Sequence, residues 1–289
     1  MVALFRTFLL GLLLLGCQSD TNSKEKIIIS SNPWVGFTPF SYAEKKGWLK
    51  ETPFEFAWSI DLGENKHLFA RGFTQGFTAT QFEALHINQQ GNLTPVFLID
   101  KSNGADAIYS NISLAQLLQA PRIKAYFEND TLDEDFFDAF LAKHHLERSR
   151  FVITSIAQDK ITNLSPEKEP QLLISYEPYG TKLVKRGFQP IESTATMKEF
   201  LVVDALFINE ALLKSHTKDI KHLHMLFERA KKNLLENPKE FYTTIQAYLN
   251  GQTYEEFMAS LSNIVWLEKA DALILKDFAA KELPTRHIQ

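Results

Sequence analysis

Three carboxylates sit in short polar segments that interrupt or end apolar runs, and aromatic residues accompany them. Asp106 closes Ser102-Asn-Gly-Ala-Asp106, Glu177 lies in Tyr176-Glu-Pro-Tyr179, and Asp204 breaks the apolar run 201–208. Carboxylates gathered in one cleft repel one another and raise each other's pKa unless a cation or a hydrogen-bond donor sits among them. Trp34, Phe37, Tyr176 and Tyr179 offer aromatic faces, which suit a cation or a flat ring. The only lysine or arginine beside these segments is Lys101, directly before the first of them. The chemistry these residue types support is recognition of a small molecule bearing an amine or several N–H donors, in preference to nitrate or a bare sulfonate. An anionic tail has a place on helix amino ends, which carry free N–H groups and partial positive charge, after Thr38 and Thr80.

Motifs for bond-making chemistry are missing. The chain has no Gly-Xaa-Ser-Xaa-Gly elbow, no Walker loop, no His-Glu-Xaa-Xaa-His helix and no glycine-rich fingerprint after the first strand. Its single cysteine, Cys17, excludes an intrachain disulfide and a cysteine-based zinc site. His222 and His224 are two apart on a helix and face different directions, and His144-His145 fails as a metal pair for a similar reason. No enzyme, cofactor or metal is expected.

The segments need elements to position them. Val96-Phe-Leu-Ile99 reads as a buried strand and Ala107-Ile-Tyr109 as the start of another, with a polar loop between them centred on Gly104. Such a loop, with Ser102, Asn103 and Asp106, is either an ordinary solvated connection or a ligand loop at the carboxyl end of a strand. Residues 27–29, 54–58 and 75–78 read as further strands. Thr38 reads as an N-cap with Pro39 at the first helical position, and Thr80-Gln-Phe-Glu83 as a capping box. Trp34 is core packing or cleft lining, Thr78 and Thr80 are cleft lining or plain capping, and Asp204 faces a cleft or, from a sheet end, solvent. Residues 112–200 carry their own strands at 122–127, 151–154 and 172–175 and a helix with the stripe Phe136, Phe137, Phe140 and Leu141. The remainder, from Asn209, is read as five helices, among them a short one capped by Asn209 and a separate one at 218–236. The expected fold class is α/β, with a second lobe inserted in the first.

The segments Asn32-Pro-Trp-Val-Gly-Phe-Thr-Pro-Phe40, Ala43-Glu-Lys-Lys-Gly-Trp-Leu49, Ser102-Asn-Gly-Ala-Asp106 and Ser175-Tyr-Glu-Pro-Tyr179, in this order, resemble the solute-binding proteins of nitrate/sulfonate/taurine and pyrimidine-precursor (NMT1/THI5-like) ABC importers. The resemblance covers roughly residues 26–266. It implies a two-lobe periplasmic-binding-protein-like fold of type II with the ligand cleft between lobes, formed by residues 27–109 plus 205–289 and by residues 110–204, with crossover strands near 107–111 and 200–205. It further implies ligand contacts from Trp34, Phe37, Thr78, Thr80, Ser102, Asn103, Asp106, Glu177, Tyr179 and Asp204, and a membrane permease as partner. The stretch after Ser110 lacks the Asp-Leu-Lys-Gly turn usual in that family, which leaves the inserted lobe's contacts less defined. The superfamily also holds a pyrimidine-precursor synthase with a cysteine-rich motif, which this chain lacks.

The totals agree with an exported binding protein. The chain has 289 residues, 45% of them hydrophobic, enough for one large or two modest domains, and a formal net charge of −4 with no lysine/arginine stripe for nucleic acid. Residues 1–16 read as a lipoprotein signal peptide, with Arg6 before an apolar core and Leu14-Leu-Gly-Cys17 resembling a lipobox whose cysteine takes the lipid. The alternative is an ordinary signal peptide with an incidental cysteine. Residues 17–26 are polar and read as a tether. The expectation is a lipid-anchored monomer on the periplasmic or cell-surface face of a bacterial membrane. It serves an importer or, as a second possibility, a membrane receptor that senses ligand without transport.

Overall fold

A computed structural model describes residues 26–88 and 93–288. The signal segment 1–16, Cys17 and the tether up to residue 25 lie outside the described residues. Among those described, no helix is long and apolar enough to cross a membrane.

The chain builds two sheets. The first orders its strands β11-β4-β10-β3-β1-β2, where β1 is Ile27–Ser31, β2 Phe54–Trp58, β3 Gly76–Thr80, β4 Leu93–Ser102, β10 Val203–Asn209 and β11 Ile264–Trp266. The second runs β7-β6-β8-β5-β9, with β5 Asp106–Ser110, β6 Ile123–Phe127, β7 Phe151–Ser155, β8 Gln171–Tyr176 and β9 Gln189–Ser193. In each sheet three parallel strands meet one antiparallel strand, β10 in the first and β5 in the second. These two are the strands that enter their sheets directly after the chain crosses between lobes. Both sheets are covered on both faces, as parallel strands require. The first is covered by clusters around Phe40, Phe97 and Phe227 on one side and Phe77, Phe207 and Phe278 on the other. The second lies between the Phe136/Phe137/Phe140 stripe and the Tyr109–Leu173–Phe188 cluster.

The crossings fall at residues 103–105 and 194–202, earlier than the sequence suggests. Residues 106–109, expected in the first lobe, pair on both edges within the second sheet. Gly104 makes the first crossing at φ +118°, a conformation that side-chain-bearing residues rarely adopt. Thr194 clasps the two crossings: its hydroxyl is 2.8 Å from Ser102 Oγ and accepts from Gly104 N at 2.7 Å. Two other expectations change. Thr38 begins the helix Thr38–Lys45 without capping it, because a 3-10 turn over Val35–Phe37 precedes it and its hydroxyl donates to the Val35 carbonyl. The two helices expected after Asn209 are one, Glu210–Glu236, kinked at His216.

Candidate functional site

Strand register assembles the site. Asp204 on β10 stands directly beside Thr80 on β3 and beside Asp100 on β4, so the three side chains form one row across the first sheet. In the second sheet Asp106 on β5 stands beside Tyr176 on β8. Thr80 and Asp204, with Asp100 beside them, face Asp106 and Tyr176 across a cavity of about 10 Å³ that Asp100 does not itself line, completed by Asn32, Trp34 and Phe37 from the segment after β1 and by Leu62 and Leu132 at the starts of two helices. That is about the room one water or one ammonium group needs.

Carboxyl groups dominate its electrostatics. Asp100, Asp106 and Asp204 are all buried, and Asp100 Oδ1, Asp106 Oδ2 and Asp204 Oδ2 have no hydrogen-bond partner. Asp100 Oδ2 accepts the Trp34 Nε1–H at 3.1 Å, and Asp106 lies next to the Ser102 hydroxyl, whose oxygen accepts its N–H at 3.2 Å. Burial pushes Asp106 up to about 7 and Asp100 up to about 8, and it pushes Asp204 well above the ordinary range, with Asp100 adding to the shift. Burial thus favours the protonated form at both Asp100 and Asp204. A fourth buried carboxyl, Glu128, is raised in the same way beside Asp133 and Asp61, and Glu83 and Asp133 add to the acidic band. No lysine or arginine lines the cavity.

Contacts on either side join the lobes. Glu83 Oε1 accepts from Leu132 N across the gap at 2.6 Å, while its Oε2 accepts from Thr80 N in a capping box. Tyr176 OH accepts from Leu62 N at 3.1 Å, and His86 meets Asp135 at 3.0 Å. Phe200, in the second crossing, stacks between Phe82 of one lobe and Phe136 of the other, with centroids 4.9 Å apart in both pairs. The lobes are thus in contact around the cavity.

Of the residues expected at a ligand, the structure brings Trp34, Phe37, Thr80, Asp106 and Asp204 to this one cavity. Tyr179 lines the adjoining chamber with Trp34, and its hydroxyl donates to the Ile60 carbonyl. Four lie elsewhere. Thr78 is one pleat deeper than Thr80, covered by Ser31, whose hydroxyl is 2.7 Å from its own. Ser102 belongs to the crossing clasp, and Asn103 is exposed there with its N–H on the Asn263 carbonyl. Glu177 turns away from Tyr176 and accepts from the Thr181 hydroxyl at 2.8 Å. The amino end after Thr80 is closed by Glu83 and offers no place for an anionic tail. Sequence reasoning missed Asp100, Asn32, Leu62 and Leu132. For Asp100 the available signal was a carboxylate directly after the apolar run 96–99. Among the described residues, no group of three or more histidine, cysteine or acidic side chains is arranged to hold a metal ion.

Comparison with known proteins places the fold. The ligand-binding component of an ABC-type import system from Staphylococcus aureus, solved with zinc bound, is similar over 91% of this chain and 94% of that one, with 12% identity and a TM-score of 0.71. The periplasmic aliphatic sulphonate binding protein SsuA from Escherichia coli matches over 90% and 91%, with 10% identity and a TM-score of 0.70. A Candida albicans protein described as having the generic periplasmic binding protein fold matches over 92% and 98%, with 11% identity and a TM-score of 0.65. No protein-family model and no curated protein sequence matches the chain. The chain has the two-lobe periplasmic-binding-protein fold, with the acidic cavity at the junction of its lobes.

Proposed function

We propose that this chain is an extracytoplasmic solute-binding protein of an ABC importer, which binds a small amine- or N–H-bearing molecule by lobe closure and delivers it to a membrane permease. The observation that carries this reading is the pair of unpartnered carboxyl oxygens, Asp106 Oδ2 from one lobe and Asp204 Oδ2 from the other, in a cavity without lysine or arginine. A sulfonate brought there would meet acids and no cation. A solute ammonium would supply the charge that protons supply in its absence, and its contacts to both lobes would favour the closed state. The chain acts by binding, without chemistry on the solute. Importer binding components with this fold support the transport role. The Leu14-Leu-Gly-Cys17 segment supports a lipid anchor on Cys17, with the monomer held at the periplasmic or cell-surface face of the membrane.

A thermal-shift screen with amines, amino acids, pyrimidines and sulfonates tests the reading. An amine or other N–H-rich compound at about 100 times its dissociation constant should add roughly 2.7 kcal/mol of stability. A screen in which sulfonates alone stabilise the protein would overturn it.

A further inference from the structure

Two larger chambers lie in series beside the acidic cavity, each sharing lining residues with the one before it, and the three differ in chemical character. Asn32 and Trp34 line both the cavity and a chamber of about 210 Å³ whose walls include Trp58, Tyr179 and Tyr248. Ile60, Tyr179 and Asn250 in turn line both that chamber and an outer one of about 480 Å³, whose charged walls are Lys182, Lys185, Arg186 and Asp159. In this order the adjoining spaces run from buried acids, past aromatic rings, to a basic outer wall.

Two unpartnered groups mark these spaces as built for an occupant. Asn32 is fully buried; its Oδ1 accepts from Asn65 Nδ2 at 3.4 Å, while its own Nδ2 has no partner at the junction of the first two chambers. A buried donor without an acceptor is costly, and a ligand acceptor would relieve it. At the outer wall, Lys185 is paired with Glu256, Arg186 donates to Asn163 Oδ1 at 3.3 Å, and Asp159 has Lys160 at 3.1 Å. Among the described residues Lys182 forms no ion pair, and its Nζ lies 5.7 Å from the Tyr179 ring centroid, at the boundary of the aromatic and basic chambers. Burial and the neighbouring Lys185 hold its pKa below the ordinary lysine value, which an anion would reverse.

We propose that the solute is an elongated, amphoteric molecule whose ammonium or N–H-rich head meets Asp106 and Asp204, whose flat middle passes Trp34 and Tyr179 with an acceptor atom at Asn32 Nδ2, and whose anionic tail is held by Lys182. This deepens the reading of the cleft as a site for a cationic group and rests on it. The cavity at Asp106 and Asp204 has room for little beyond the head, so the rest of the solute must occupy the chambers beside it.

Calorimetry with three probes separates the two layers of the argument: O-phosphotyramine, which carries ammonium, ring and phosphate; tyramine, which lacks the phosphate; and phenyl phosphate, which lacks the ammonium. Phosphotyramine is expected to bind at least tenfold tighter than tyramine, and phenyl phosphate more weakly than either. Lys182→Gln is expected to shrink the advantage of phosphotyramine over tyramine to less than threefold, and Lys182→Arg to retain it. If tyramine binds as tightly as phosphotyramine, or if Lys182→Gln keeps the full advantage, the tail site at Lys182 is wrong while the cationic head site stands. If phenyl phosphate binds as tightly as phosphotyramine, the cationic reading of the cleft falls as well. Failure of all three probes to bind at millimolar concentration would overturn the three-chamber inference, leaving the screen of amines against sulfonates to judge the head site.

Discussion

At the residue scale the site is a balance between burial and charge. Asp100 and Asp106 have pKa values raised to about 8 and about 7, so between their ordinary value and these the folded protein binds more protons than the unfolded chain. The sign follows: the contribution of these groups is greatest below the unfolded pKa and is lost as pH rises through the folded one, at up to about 1.4 kcal/mol per pH unit for each proton. Unliganded protein should therefore lose stability from pH 5 to pH 8 more steeply than Asp106→Asn, in which the titrating group is gone. Parallel melting-temperature profiles for the two would contradict this. Gly36 offers a second test at this scale. A methyl at Gly36 would fall on the Asp100 carboxylate and come within 2.7 Å of Trp34 Nε1. Gly36→Ala is expected to cost about 1–3 kcal/mol by overpacking and to disturb the Trp34–Asp100 hydrogen bond. Chemical denaturation and Trp34 indole N–H chemical shift measure the two effects, and a variant unchanged in both would refute the packing described.

At the scale of elements, Glu83 is the clearest joint. It caps its own helix, Gln81–Ile87, and receives the first N–H of the helix Leu132–His144 from the other lobe. Glu83→Gln replaces one accepting oxygen with a donor, which leaves a buried N–H without its partner. It is expected to cost about 1–3 kcal/mol and to speed hydrogen exchange at the Leu132 amide; unchanged stability and exchange would show that the joint does not hold the lobes. Much of this architecture was legible in the sequence. Periodicity and capping residues located most strands and helices, and Thr80-Gln-Phe-Glu83 named a capping box that the structure contains. What escaped was pairing. Asp100 becomes a partner of Asp204 only through the β4–β10 register, and Glu177 leaves the cavity because Tyr176, one position earlier, takes the inward face. The edge strands escaped as well: β9, Gln189–Ser193, has few apolar residues, and β11, Ile264–Trp266, is apolar throughout but too short for a period to show. The crossing was placed late because residues 107–109 are apolar enough for either sheet.

At the scale of the whole molecule, two α/β lobes meet through Tyr176 and Tyr179, which pack into the first lobe's core, through a smaller contact of Phe82, Leu132 and Val202, and through the carboxyl-lined cavity. Two crossing segments clasped at Thr194 form the expected hinge. A saturating ligand should reduce the radius of gyration in small-angle scattering without changing the circular dichroism spectrum; identical scattering profiles with and without ligand would count against closure. The central claim is that Asp106 and Asp204 together hold a cationic group, and titration calorimetry tests it most directly. The tightest-binding amine from the screen would be titrated at pH 6.5 in two buffers of different ionisation enthalpy, into wild type, Asp106→Asn and Asp204→Asn. Binding to wild type should release protons, because the ammonium replaces them on the buried carboxyls, and each substitution should weaken binding by at least tenfold while reducing the release. Proton uptake on binding, or affinity unchanged in both variants, would contradict the account.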